Sequence, residues 1–192
     1  MKLELTLKKL KESVQVVDRV AGKHMTLPVL SCVLLEVKDN TATIKATNLD
    51  VGLEIVLPVK STGNGQLAVP ASILSSFISQ ISGDDQIVRL EDSEQNLLIS
   101  TQKTKGTIKT QSFDDFPSIP RVLDGKKLSL PAESFLKGLK SVWYSSSISS
   151  VKPELSSVYI YKDSQNLVFV ATDSFRLAEK KVLMKKSVEF GQ

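Results

Sequence analysis

The sequence predicts an α+β fold of repeated β-α-β-β-β units, with helices on one face of antiparallel sheets. Three observations carry that expectation. The chain repeats itself: residues 2–54, moved forward by the 125 positions that separate Thr47 from Thr172, fall on residues 127–179 without a gap. A shorter echo, Gln66-Leu67-Ala68-Val69-Pro70-Ala71, reads like Lys127-Leu128-Ser129-Leu130-Pro131-Ala132, so the repeating unit is about half a domain. Within each unit, two-residue alternation gives way to helical spacing and returns to alternation between turn signals.

The elements follow in order. Alternation at Leu3, Leu5 and Leu7 predicts a short strand, and Leu10, Val14, Val17 and Ala21 recur at helical spacing until Gly22. Strands are predicted at 33–37, 43–47 and 52–57, separated by Lys38-Asp39-Asn40 and Asn48-Leu49-Asp50. The second unit repeats the plan. Its strand opens at Leu67, a helix spans 70–81 with proline near its first turn, Gly83-Asp84-Asp85 breaks the chain, and strands follow at 87–90, 97–101 and 106–110. Phe113-Asp114-Asp115-Phe116-Pro117-Ser118-Ile119-Pro120 reads as an irregular connector. The second domain reopens with a strand at 127–130 and a proline-started helix from Pro131 to about Tyr144. The expected organisation is a first domain over 1–120, a linker over 121–126, and a second domain over 127–192. Units starting at 2, 66 and 127 place a fourth start at 191, so the second domain is expected to be cut at its midpoint, with 186–190 opening a strand.

Composition narrows the class. With 41% hydrophobic residues the chain has apolar content for one full core and part of another. The lone Cys32, inside an apolar run, excludes an internal disulfide and suits a reducing cytoplasm. No run approaches the ~20 apolar residues of a membrane span, and the alternating N-terminal leucines do not form a signal peptide. A cytoplasmic protein without membrane contact is expected. Lysine and arginine outnumber aspartate and glutamate 25 to 21, which favours a polyanion partner only where the charge gathers on one face. It gathers on helices. Opposite the apolar stripe of the first helix lie Lys8, Lys11, Gln15 and Arg19, extended by Lys23 and His24, and the third helix places Lys137, Lys140 and Tyr144 opposite Phe135, Leu139 and Val142. Basic faces on corresponding helices suit a sequence-neutral phosphate track, whereas a single such face is equally an ordinary solvated one. The only histidine, His24, has no metal-ligating neighbours in the sequence, and no Ser/His/Asp grouping is evident, so neither a metal, a cofactor nor catalysis is expected. The pairs Asp84-Asp85 and Asp114-Asp115 read as solvated turns.

Four segments carry a resemblance. Thr26-Leu27-Pro28-Val29-Leu30, Ala46-Thr47-Asn48-Leu49-Asp50, Asp115-Phe116-Pro117 and Ala171-Thr172-Asp173-Ser174-Phe175-Arg176-Leu177-Ala178 resemble the bacterial DNA polymerase III beta subunit family, the sliding clamps. The match spans the whole chain. The resemblance implies a DNA clamp fold and a processivity factor without catalysis of its own. Family members have three domains per subunit and close two subunits head to tail around duplex DNA, helices inside and sheets outside. The implied partners are double-stranded DNA, the polymerase III alpha subunit and other clamp-motif proteins, the clamp loader, and a second copy of the full-length chain.

It also implies roles. Lys23 and His24 match a segment that touches DNA, as do Ser149 and Lys152, and these join Lys8, Lys11, Arg19, Lys137 and Lys140 as expected DNA contacts. A hydrophobic peptide-binding cleft is matched by Leu155, Thr172, Phe175, Arg176 and Leu177; periodicity alone equally allows Leu155 and Leu177 to be core. Ring closure is matched by the strand over 104–110, with Ile108 as apolar contact, Lys103 and Lys105 as ion-pair donors, and Ile78 beside them. A stand-alone peptide-binding module without ring formation is the alternative reading.

Overall fold

The computed structural model describes residues 1–22, 27–120, 130–149 and 151–184. It forms two compact units, Met1–Arg121 and Val122–Gln192. The linker expected over 121–126, most of the strand expected over 127–130, and the strand expected over 186–190 lie outside the described residues.

The first unit interlocks its two half-units. Strand β1 (Lys2–Thr6), helix α1 (Leu7–Val20), β2 (Cys32–Lys38), β3 (Thr41–Thr47) and β4 (Gly52–Pro58) form the first half. A short β5 (Lys60–Thr62) leads to the second, made of β6 (Gly65–Pro70), α2 (Ala71–Gln80), β7 (Ile87–Ser93), β8 (Asn96–Ser100) and β9 (Lys105–Lys109). Each half lends its opening strand to the other: the sheets run β5-β1-β7-β8-β9 and β4-β3-β2-β6, with every pairing antiparallel. Alternation explains the exchange. Leu3 and Leu5 register with Leu90 and Val88, and Val69 and Leu67 with Val33 and Leu35, so both seams put apolar side chains on the inward face. Leu10, Val14 and Val17 of α1 and Leu74 and Ile78 of α2 complete one core.

Several expectations are corrected. Leu7 is not a strand residue: it opens α1 and is fully buried. Its N–H donates to the Gln86 carbonyl (2.9 Å) and that of Lys8 to the Asp84 carbonyl (3.0 Å), so backbone donors at the helix start are satisfied by a distant loop rather than by a capping side chain. The second strand expected in the half from Leu67 runs on to Ser93, because Glu94 and Gln95 take positive φ and close a two-residue hairpin. Asp39 and Asn40 do the same between β2 and β3. Short β5 and a 3-10 turn over Pro28–Ser31 were not expected.

The second unit comprises α3 (Ala132–Val142), β10 (Tyr159–Asp163), β11 (Asn166–Thr172) and β12 (Leu177–Leu183), its sheet ordered β10-β11-β12. The helix expected to reach Tyr144 stops at Val142 and tightens into a 3-10 turn, Trp143–Ser145. Phe169 centres the core. It meets Phe135 edge-on at 5.7 Å, and its ring lies where a side chain on Gly138 would project, so α3 can approach the sheet only with glycine there. The offset of 125 holds to the residue: β3 and β4 map onto β11 and β12, and Thr47↔Gly52 onto Thr172↔Leu177.

Candidate functional site

Thr172, Phe175, Arg176 and Leu177 of the expected cleft lie at the β11–β12 turn, whereas Leu155 lies in the loop before β10. Ser174 takes φ +77°, and its N–H donates to Thr172 Oγ1 (3.1 Å). Asp173 Oδ1 accepts from the N–H groups of Phe175 (3.0 Å) and Arg176 (2.9 Å), Oδ2 accepts from Arg176 Nε (2.9 Å), and the Thr172 hydroxyl donates to the Arg176 carbonyl (2.7 Å). These donors, the backbone N–H of Arg176 and that of Phe175 first, hold the Asp173 carboxyl below the usual aspartate range. The turn is thus internally fastened, and it holds out apolar side chains: Phe175 is 98% and Leu177 66% exposed. Leu177 is therefore not core in the described chain, and Leu155 is half-buried. The Leu155 carbonyl accepts from Ser147 N–H (2.8 Å), which ties it to the loop bearing Ser149. The signal in the sequence for the role of Asp173 is its equivalence under the offset of 125 with Asn48, another side chain that can fold back on its own turn.

The expected DNA contacts divide. Lys8, Arg19, Lys137, Lys140, Ser149 and Lys152 are exposed. Lys11 is engaged: its Nζ lies 2.8 Å from Asp84 Oδ1 and its side chain is only 19% exposed. That hydrogen bond and charge hold the Asp84 carboxyl below its ordinary range. Lys23 and His24 lie outside the described residues.

The expected interface residues are corrected in part. Strand β9 is the edge of its sheet, and Lys103 and Lys105 are exposed. Ile108 and Ile78, however, are 5% and 1% exposed and belong to the core. Alternation turns Ile108 inward opposite Leu97 while Lys105, Thr107 and Lys109 face out, and Ile78 shares the inner face of α2 with Ala71 and Leu74. Neither isoleucine offers an outward apolar contact.

Among the described residues no group of three or more His, Cys, Asp or Glu is placed to hold a metal ion, and no helix is long and apolar enough to cross a membrane. Burial raises the Cys32 thiol above its usual range.

Comparison with known proteins decides the family. The family described as DNA polymerase III beta subunit, N-terminal domain, matches residues 1–120. The chain belongs to this family. It is 28% identical over 180 residues to the beta sliding clamp of Synechococcus elongatus, covering 93% of this chain and 48% of that protein. With the Bacillus subtilis beta sliding clamp it shares 24% identity over 189 residues, covering 94% and 50%. The Thermotoga maritima DNA polymerase III beta subunit superposes with a TM-score of 0.89 at 23% identity, covering 98% of this chain and 51% of that one. A Pseudomonas aeruginosa DnaN sliding clamp bound to griselimycin gives 0.83 at 25%, covering 98% and 52%. The fold is the sliding-clamp fold, and the chain spans about half the length of the curated relatives it matches.

Proposed function

We propose that these two units belong to a DNA polymerase processivity factor: a sliding clamp subunit that encircles duplex DNA and tethers a replicative polymerase, a clamp loader and other clamp-motif proteins through a hydrophobic cleft at Leu155, Thr172, Phe175, Arg176 and Leu177. It acts in the cytoplasm without catalysis, cofactor or metal, and as a homodimeric ring in its full-length form. The turn from Thr172 to Leu177 carries the reading. Side chains held outward on a backbone fixed by its own hydrogen bonds give an incoming peptide apolar area at little ordering cost. Similarity to beta sliding clamps over 93% of the chain supports reading this surface as part of a clamp.

DNA contact is assigned to Lys8, Arg19, Lys137, Lys140, Ser149 and Lys152, with Lys23 and His24, through weak phosphate contacts that permit sliding. Ring closure is assigned to the open edge of β9, where backbone groups can pair with another strand while Lys103 and Lys105 set register by charge.

The test is peptide binding. Leu177→Lys sets an unpaired charge against the peptide's apolar anchor and is expected to cost about 2 kcal/mol or more, roughly a thirty-fold loss of affinity for a clamp-motif peptide. Because Leu177 is exposed, the variant should melt like the parent. A folded Leu177→Lys protein with undiminished affinity removes the site; Phe175→Ala is the milder companion.

A further inference from the structure

The turn that holds out Phe175 and Leu177 is built a second time in the first unit. Thr47 Oγ1 accepts from Leu49 N–H (3.1 Å), Asn48 Oδ1 accepts from the N–H groups of Asp50 (3.1 Å) and Val51 (2.8 Å), and Leu49 has φ +77°. These are the bonds of Thr172, Asp173 and Ser174, moved back by 125 positions. Where the second copy has Leu177, however, the first has Gly52. A Cβ on Gly52 would lie 2.6 Å from Cγ2 of Ile119, far inside van der Waals contact. Ile119, on the connector after β9, therefore stands in the space that a side chain at position 52 would use. The counterparts of Leu155 and Thr172 are buried as well. Leu30, equivalent to Leu155, is 0% exposed, and Thr47, equivalent to Thr172, is 6% exposed, whereas Leu155 and Thr172 are half-buried. Three residues before Ile119, Phe116 packs against Val29, Cys32 and Ala68 and gives the connector a second anchor.

We propose that the first unit contains a second copy of the peptide cleft, closed by the chain's own segment Phe113–Pro120 with Ile119 as its internal apolar plug. The inference rests on the reading of Thr172–Leu177 as a peptide cleft. The plug has the chemistry of a short linear ligand: an acidic pair, Asp114 and Asp115, leads into apolar anchors at Phe116 and Ile119. Pro117 and Pro120 restrict the free segment and so reduce the entropy lost on seating it. While its Ile119 side chain is seated, the tethered occupant acts at an effective concentration on the order of millimolar and excludes free peptides present at micromolar levels.

The test uses the 192-residue chain carrying Leu177→Lys, which silences the second-unit cleft, titrated with a fluorescein-labelled peptide of sequence 113–120. With Ile119 in place no probe should bind. Ile119→Gly should admit one equivalent, and adding Gly52→Leu, which refills the space from the other side, should abolish it. A folded Ile119→Gly chain that binds no probe overturns the proposal. If Ile119→Gly alone fails to fold, the pair with Gly52→Leu decides: recovery of Tm supports the shared space, and no recovery overturns it. Gly52→Leu beside an intact Ile119 must lower Tm, and an unchanged Tm also overturns the proposal. Failure of the underlying cleft reading would appear separately, as full clamp-motif peptide binding by Leu177→Lys alone.

Discussion

The two units lay down the same hairpin and bury it differently. β3–β4 and β11–β12 agree in length, register and turn, down to the residue with φ +77°. In the first unit β3 and β4 belong to a four-stranded sheet backed by α1, in a core shared by both half-units. In the second, the hairpin packs against α3 and the 3-10 turn that follows it, and the buried residues of that core cluster are Val142, Leu167, Phe169 and Ala171. Turn chemistry and register are therefore local properties of Thr-Asx sequences and alternation, indifferent to how much protein lies above them. Stability is not local, since it follows the apolar area that each unit removes from water.

The contrast predicts unequal, separable stabilities, and the largest effect should come from the centre of the smaller core. Phe169→Ala removes a fully buried ring and is expected to cost about 3–5 kcal/mol, enough to unfold the second unit while the first keeps its amide protection. Trp143, the sole tryptophan, lies in the second unit and reports on it alone. In the parent protein its fluorescence should change at lower urea than far-UV circular dichroism, which is dominated by the first unit. Coincident transitions would mean that the units unfold together and would break the comparison.

How much was legible in the sequence divides along the same line. The offset of 125 carries β3 onto β11 and β4 onto β12, and Asp39-Asn40 marked a hairpin, because both depend on neighbours in the chain. The turn at Glu94-Gln95 was not legible, since neither residue is a usual donor of positive φ. Ile108 and Ile78 were assigned outward roles through the resemblance, although alternation against Leu97 and helical spacing with Leu74 placed both inward. Contacts between distant residues left no local trace: Lys11 with Asp84, and Gly52 with Ile119, depend on how the halves interlock.

A smaller effect separates the two turns by chemistry. Asn48 accepts two N–H groups with a neutral amide oxygen, whereas Asp173 does so with a carboxylate. The Asp173 pKa is lowered on folding, so its stabilisation is present above the unfolded value of about 3.9 and is lost as pH falls through the lower folded value. Amide exchange of Phe175 and Arg176 should accelerate relative to Asp50 and Val51 as pH is taken below about 4, after correction for intrinsic rates. Asp173→Asn should flatten that difference while retaining the turn. An unchanged pH response in the variant would show that the carboxylate is not responsible.

The smallest expected effect concerns charge on the two basic helices. On α1, Lys11 is held by Asp84, whereas Lys137 and Lys140 of α3 are exposed. The Asp84 main chain also accepts from Lys8 N–H, so the loop stays fixed to the helix start even when its side chain is altered. In a DNA-binding, ring-forming version of the protein, Asp84→Asn should release Lys11 toward phosphate and steepen the dependence of log K on log salt by about 0.9 per chain, one counterion's worth. Asp85→Asn makes the same change in net charge one residue away without freeing that lysine, and should strengthen binding only through the general field. The difference between the two slopes is the measurement. Equal slopes would mean that Lys11 gains no phosphate when its partner is removed, and the α1 face would then contribute through Lys8 and Arg19 alone.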